Sequence, residues 1–221
     1  MRVLTAVPRG RRWRSALPAT VPRLWVRWLR RPGSLTRALQ TLGHVEVRLG
    51  LQGIVCLPPR FVAPPGESVN TANETCRFAA DYGSCWVRDI TLTVDGEAVI
   101  AARSVVSASD SRAAWKSIRT LQARPLASIL YHDPAVSRSV FSYASLSLFE
   151  TPFVDRNVVD IRSAIGNAWA RSSVFYRHSA PLVLTEIFLP KLWVMIARGE
   201  QRDNYESLKR LNASGGFSGE I

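Results

Sequence analysis

Two arginines with the chemistry to bind a carboxylate lie on segments that the sequence predicts to be paired strands. The segments, 86–94 and 97–106, are rich in β-branched residues, and an Asp-Gly dipeptide typical of a type I′ hairpin turn separates them. The register set by a two-residue turn puts Arg88 opposite Arg103 on the apolar face of the hairpin. Because like charges opposite each other are unfavourable and a buried guanidinium needs an anion, we expect an anionic group between or beside them. A ligand carboxylate meets that need, and a structural aspartate or glutamate is the alternative.

A glutamate near the C-terminus is the second group that could take part in chemistry. Glu186 lies in the apolar segment 181–189 and shares a strand face with Leu184 and Phe188. Such an inward carboxylate has a raised pKa if it is unpaired and a normal or lowered pKa beside an arginine, and both situations occur in catalytic sites. The alternative is a plain structural Arg–Glu ion pair.

The cysteines and histidines do not form a metal-binding pattern. They are few and scattered, without CxxC, HxxxH or HExxH spacing: Cys56, Cys76, Cys85, His44, His132 and His178. An odd number of cysteines also argues against a disulfide framework and favours free thiols in a reducing cytoplasm. We therefore expect no bound metal.

The positive charge is concentrated at the N-terminus. Of the formal net charge of +12, nine arginines lie before residue 32, and no acidic residue precedes Glu46. The remaining 190 residues carry 20 basic and 17 acidic side chains, which is an ordinary globular balance. The basic N-terminus allows weak contact with an anionic membrane surface, whereas nothing in the rest of the chain requires nucleic acid. The simpler interpretation is a solvated leader followed by a basic helix.

The elements expected to position these residues follow from periodicity, capping residues and turn signals. Thr20 and Ser34 are the predicted caps of the first two helices. The expected elements are helices over 20–31, 34–42 and 109–122, strands over 45–56 and 139–148, a long Pro-rich loop over 57–75, and a last hairpin of 169–176 with 181–189. At 221 residues, one domain with tails is the expectation.

Several stretches together resemble a known family, the bacterial chorismate pyruvate-lyases. They are Trp86-Val-Arg-Asp-Ile leading to Asp95-Gly-Glu, Ala102-Arg-Ser-Val-Val, the segment around Arg124-Pro-Leu, Trp169-Ala-Arg-Ser, and Pro181-Leu-Val-Leu-Thr-Glu-Ile-Phe-Leu-Pro. Each motif alone is weak, but their order and spacing across residues 20–190 are specific.

The resemblance implies an α+β fold in which helices pack over an antiparallel sheet and enclose a buried site, without metal or organic cofactor. It divides the chain into a basic leader at 1–18, a chorismate lyase-like domain at 19–190 and a tail at 191–221, and we expect a monomer. It also implies elimination of pyruvate from chorismate to give 4-hydroxybenzoate for ubiquinone synthesis.

By position, the resemblance assigns ligand contacts to Arg88, to Glu186, to the backbone of Leu126 and to Leu35, which stands where the family has methionine. Arg88 would hold the ring carboxylate of chorismate, and Glu186 would meet the hydroxyl end and assist proton movement. We assign Arg103 either to binding the second carboxylate of chorismate or to supporting the electrostatic field of the site. The family pattern is interrupted by the basic leader, the Pro-rich segment, a long connection between 148 and 169, and the tail.

Two other functions compete with this one. The same fold resembles the effector domain of certain helix-turn-helix regulators, so a non-catalytic domain that senses a small carboxylate is the main alternative. With about 19 residues before the first predicted helix, the sequence is expected to lack the DNA-binding domain of such regulators. A nucleic-acid-binding protein is supported by the leader alone.

Overall fold

The computed structural model describes residues 13–57, 84–148, 151, 153–154, 166–199, 201 and 205. The helices are α1 (Arg23–Leu29), α2 (Leu35–Leu39), a 3-10 helix (Lys116–Thr120), α3 (Ala127–Leu130) and α4 (190–199). The strands are β1 (Val45–Cys56), β2 (Ser84–Val94), β3 (Glu97–Ser107), β4 (Val136–Arg138), β5 (Ser142–Ser147), β6 (Asn167–Arg177) and β7 (Ala180–Phe188).

The described strands form one antiparallel sheet of seven strands in the order β1-β2-β3-β7-β6-β4, and β5 also pairs with β6. Buried side chains of α1, α2 and α4 pack with those of β2, β3 and Phe188 on one face of the sheet. The 3-10 helix and α3 cover the part of that face near Trp86 and Leu182. The predicted α+β class, with helices packed over an antiparallel sheet, is confirmed.

The first hairpin forms at the predicted turn but not in the predicted register. Val94 pairs with Glu97 as expected, yet a bulge between Leu92 and Thr93 shifts every pair beyond it by one residue. One extra residue in β3 moves side chains to the opposite face, because side chains alternate along a strand. The prediction that Arg88 lies opposite Arg103 is therefore wrong.

The last hairpin forms as predicted, and the second helix begins as predicted but ends at Leu39, before the expected end at 42. β6 and β7 meet at a two-residue turn in which His178 and Ser179 both have positive φ, at 48° and 63°, as a type I′ turn requires. The side chain of Ser34 caps α2 by accepting a hydrogen bond from the backbone N–H of Arg37 at 3.2 Å. In contrast, α1 follows Pro22 without a side-chain cap, so the expected role of Thr20 is wrong.

The helix expected over 109–122 is mostly turns, with a 3-10 helix over its last part. Ser107 Oγ accepts a hydrogen bond from the backbone N–H of Asp110 and donates to its carboxylate, at 3.0 and 2.9 Å. Such side-chain bonds compete with helical backbone bonds. Trp115 is buried here and donates through Nε1 to the carbonyl of Ala180 at 3.0 Å, so tertiary contacts set this conformation.

Both ends of the described chain pack more closely than expected. Arg14, placed in a mobile leader by the sequence, makes two backbone hydrogen bonds with Tyr143, at 2.9 and 2.8 Å. The segment expected to be a tail begins with α4, which buries Leu192, Trp193 and Ile196 in the core. The expectations for residues 1–12, most of the Pro-rich loop and the chain after α4 fall largely outside the described residues. Within the described part, no helix is long and apolar enough to cross a membrane.

A close approach fixes the first hairpin turn to the segment before β1. Asp95 exchanges hydrogen bonds with His44, both at 2.8 Å, and a Cβ at Gly43 would collide with the carboxylate of Asp95. We expect Gly43→Ala to destabilise the protein by about 0.5–1.5 kcal/mol, the usual net contribution of a hydrogen bond, because displacing the Asp95 carboxylate would break its bond with the backbone N–H of His44. Thermal unfolding should show a lower Tm. Gly53→Ala is the control, because a Cβ at Gly53 meets no atom within 4 Å, and an equal loss in both variants would contradict the steric explanation.

Candidate functional site

Arg88 is held rigidly in the interior by backbone carbonyls. It is 2% exposed. Its Nε and Nη2 donate to the carbonyl of Gln122 at 3.2 and 2.7 Å, and Nη2 also donates to the carbonyl of Arg124 at 2.7 Å. No carboxylate among the described residues forms an ion pair with it. Among the described residues only backbone dipoles compensate its charge, an arrangement that suits a cation receiving an anionic ligand.

Burial changes the acidity of this guanidinium but not its charge at neutral pH. Desolvation lowers the pKa of Arg88 from its usual range to about 10. Arg88 thus remains protonated in any ordinary assay and presents a desolvated positive charge, the form that binds a carboxylate best.

Glu186 lies on the same sheet face and is paired with an arginine that the sequence analysis did not single out. Arg171 Nε donates to Glu186 Oε2 at 2.6 Å, and the two side chains are 1% and 12% exposed. Arg171 Nη1 also donates to the carbonyls of Leu29 and Arg31 at the end of α1, at 3.3 and 2.7 Å. The partner of Glu186 is therefore Arg171 on the neighbouring strand, and not Arg88.

A signal for Arg171 was present in the sequence. Counting outward from the turn at His178 and Ser179 puts position 171 opposite position 186, which is the pairing in the structure. The stretch Trp169-Ala-Arg-Ser was noted only as a motif of the family resemblance.

Aromatic side chains surround the Glu186–Arg171 pair. The guanidinium carbon of Arg171 lies 4.3 Å from the ring centroid of Phe141. Burial raises the pKa of Tyr131, and the charge of Glu186 raises it further, whereas Arg138 and Arg171 act in the opposite direction. The Tyr131 hydroxyl therefore lies within the electrostatic influence of the Glu186 carboxylate.

Arg138, at the end of β4, is a further cation on this face. Its guanidinium carbon lies 4.0 Å from the ring centroid of Phe141. Its Nη1 is buried and has no hydrogen-bond partner among the described residues. The sequence analysis did not select it, because a strand of three residues has little periodicity to reveal a face.

The two leucines assigned by resemblance both pack against this face. Leu35 is buried in the cluster formed by α1, α2 and α4, and Leu126 precedes α3 in the cluster around Trp115. Leu126 also comes two residues after Arg124, whose carbonyl holds Arg88. These positions are compatible with apolar and backbone contacts to a ligand lying on the face.

Arg103, the remaining predicted ligand residue, is not brought together with Arg88. The shifted register places it opposite Asp89 on the other face of the sheet. Its Nε and Nη2 donate to the two carboxylate oxygens of Asp89 at 2.7 and 2.8 Å. Arg103 is therefore satisfied by a structural aspartate, which was the alternative to a ligand carboxylate. We leave Arg103 out of the candidate site.

Because Arg103 is paired with Asp89 on the other face, we expect Arg103→Lys to affect stability and not function. A single ammonium cannot reproduce the two parallel hydrogen bonds, and burial already raises the pKa of Asp89 against the lowering influence of Arg103. We expect a lower Tm with a KM for substrate within about twofold of wild type. A normal Tm combined with a large rise in KM would return Arg103 to the site.

The arrangement brings two cations and a paired carboxylate to one covered face: Arg88, Arg138 and the Glu186–Arg171 pair. Such a face binds carboxylates and offers Glu186 Oε1 as a hydrogen-bond acceptor, since Oε2 is used by Arg171. Within the described part of the chain, no three His, Cys, Asp or Glu side chains are grouped as metal ligands.

Comparison with known proteins gives one consistent family. A family model described as chorismate lyase matches residues 11–197. A protein of Bordetella pertussis (strain Tohama I) named "Probable chorismate pyruvate-lyase" is 36% identical over 193 residues, covering 86% of this chain and 94% of that protein. "Probable chorismate pyruvate-lyase 1" of Burkholderia pseudomallei (strain 1710b) is 32% identical over 183 residues, covering 82% and 91%.

Among solved structures, the effector domain of PhnF from Mycobacterium smegmatis matches with a TM-score of 0.42 and 12% identity, covering 72% of this chain and 90% of that one. A similarity this low carries no argument about function.

Proposed function

This chain belongs to the chorismate lyase family, and from that premise we propose that it eliminates pyruvate from chorismate to give 4-hydroxybenzoate. The observation that carries the proposal is the buried Arg88, which has no carboxylate partner among the described residues and shares its sheet face with the Glu186–Arg171 pair. A ligand with a carboxylate at one end and a hydroxyl at the other would satisfy both groups.

Binding and orientation of the substrate are the first contributions of the protein. In the reaction, the bond between ring C3 and the ether oxygen breaks, C4 loses its hydrogen, and the ring becomes aromatic. The enolpyruvyl group leaves with a hydrogen added and becomes pyruvate. Aromatisation drives the elimination, and the contact between Arg88 and the ring carboxylate orients the ring for it.

Glu186 has the chemistry to act at the other end of the ring. Its Oε1 would accept a hydrogen bond from the C4 hydroxyl, and its negative charge would favour loss of the neighbouring C4 proton. Arg171 is a positioning residue, because it fixes the carboxylate through Oε2.

The proposal is tested by incubating the purified protein with chorismate and quantifying both products. We expect 4-hydroxybenzoate and pyruvate in equal amounts. Binding of 4-hydroxybenzoate without any release of pyruvate would instead support the sensor alternative. A second test addresses ubiquinone: the gene should restore growth without added 4-hydroxybenzoate to a bacterium that requires this compound for ubiquinone synthesis.

A further inference from the structure

Arg138 is a partly buried cation, with its Nη1 fully buried, that the mechanism above does not use. Its guanidinium packs on Phe141, and its Nη1 has no hydrogen-bond partner among the described residues. No acidic side chain in the described part of the chain forms an ion pair with it. Because leaving a buried guanidinium nitrogen unbonded is costly, this position calls for an anionic acceptor that the described residues do not supply.

The charges on the covered face indicate how many anionic groups a ligand should bring. Arg171 is neutralised by Glu186, whereas Arg88 is bonded to carbonyls and Arg138 lacks a carboxylate among the described residues. Arg88 and Arg138 are thus two cations of this face that no described carboxylate neutralises. A ligand with two carboxylates could pair with both of them.

The strands that carry these groups are close enough for one small ligand to contact all of them. Arg88 is on β2, Glu186 two strands further on β7, and Arg138 two strands further again on β4. Adjacent strands are about 4.8 Å apart, so each step spans roughly 10 Å between backbones, which long side chains can bridge to one small molecule. The guanidinium carbons of Arg138 and Arg171 both lie close to the Phe141 ring, at 4.0 and 4.3 Å from its centroid. Arg138 is thus adjacent to the Glu186–Arg171 pair.

We infer that Arg138 binds the second carboxylate of the substrate, the one on the enolpyruvyl group. The inference rests on the proposed function and adds a residue that binds the substrate but not the product. Chorismate would contact both cations, whereas 4-hydroxybenzoate, with its single carboxylate, contacts Arg88 alone. The bond cleavage thus removes the contact to Arg138, which weakens the hold on the remaining product. Arg103, to which sequence analysis assigned this carboxylate, lies on the other face.

The test compares two ligands by calorimetry on the full-length protein. The first ligand is 4-hydroxybenzoate, and the second is 3-(carboxymethoxy)-4-hydroxybenzoate, a stable aromatic compound that carries both carboxylates and the hydroxyl. We expect Arg138→Met to weaken binding of the dicarboxylate by about 30-fold, the scale of a lost charge-assisted hydrogen bond, and to leave binding of 4-hydroxybenzoate within threefold of wild type. Arg138→Lys should recover part of the loss. The KM for chorismate should rise most in Arg138→Met and less in Arg138→Lys.

Arg48→Met is the matched control for losing one positive charge. Arg48 is on β1 and about half exposed, and its ion pair with Glu46 is long, at 3.9 Å, so its loss should leave both affinities unchanged. Retained binding of 4-hydroxybenzoate shows at the same time that the Arg138 variants are folded.

Three results would overturn the inference: equal dicarboxylate affinity in wild type and Arg138→Met, equal loss for both ligands, or a wild-type protein that binds the monocarboxylate more tightly. The last comparison needs no variant, so a folding failure does not remove the test. A wild type that shows the dicarboxylate preference without releasing pyruvate would refute the proposed lyase activity and leave the role of Arg138 intact.

Discussion

Replacing Glu186 with glutamine is expected to slow chorismate turnover by at least about 100-fold, the usual scale for a lost acid or base. Glutamine keeps the shape of the side chain but removes the charge that would assist departure of the C4 proton. Binding of 4-hydroxybenzoate should remain measurable, since Arg88 holds the carboxylate end. Single-turnover kinetics and calorimetry on the same sample measure the two effects separately.

The same substitution should also lower stability, because Arg171 would keep its two carbonyl acceptors but lose its counter-charge in the interior. Breaking a buried ion pair by removing one partner costs about 3–5 kcal/mol, and the amide oxygen of glutamine should offset part of this. Glu97→Gln is the control: its ion pair with Lys191 at 2.9 Å is about half exposed and should contribute less than about 1 kcal/mol. A Glu186→Gln protein with wild-type Tm and wild-type rate would refute both roles.

Arg88→Lys is expected to lower kcat/KM by at least about 100-fold and to recover little compared with Arg88→Met. Nε and Nη2 of Arg88 are committed to the carbonyls of Gln122 and Arg124, and the substrate must be bound by what remains of the planar guanidinium. A single ammonium cannot bind both carbonyls and a carboxylate with the same geometry.

Steady-state kinetics with chorismate and the Kd of 4-hydroxybenzoate should change together in the Arg88 variants, because the ring carboxylate is common to both ligands. This distinguishes Arg88 from Arg138, whose loss should affect only the dicarboxylate. Arg48→Lys, on the neighbouring strand β1, is the control for replacing an arginine with a lysine. Full activity in Arg88→Lys would contradict the proposed carboxylate contact.

Local signals in the sequence predicted the fold where one short motif determines the structure. Asp95-Gly96 and the residues around His178 set two-residue turns, and Ser34 caps α2 through its own hydroxyl. Such features depend on neighbours in sequence, so they can be read from the sequence. The sequence does not predict that α4 packs on the core, because this packing depends on residues that are distant in sequence.

The candidate site was predictable in its residue types but not in all its pairings. The sequence predicts that Arg88 and Glu186 point inward, and both side chains do. Arg103 was misplaced because the bulge in β3 has no glycine or other marker at the extra residue, Val99, and one residue of slip reverses the face. Arg138 was missed because its strand is too short for alternation to show.

The hydrogen bonds from Arg171 to Leu29 and Arg31 make α1 and the site carboxylate parts of one cooperative unit. If α1 detached, a guanidinium that is 1% exposed would lose two acceptors and could no longer hold Glu186 in place. Undocking of this seven-residue helix is therefore coupled to disassembly of the site, so α1 should not behave as an independently fraying surface element. Entry and exit of a ligand should accordingly proceed by motion of other parts of the chain, because opening at α1 would dismantle the group that the reaction needs.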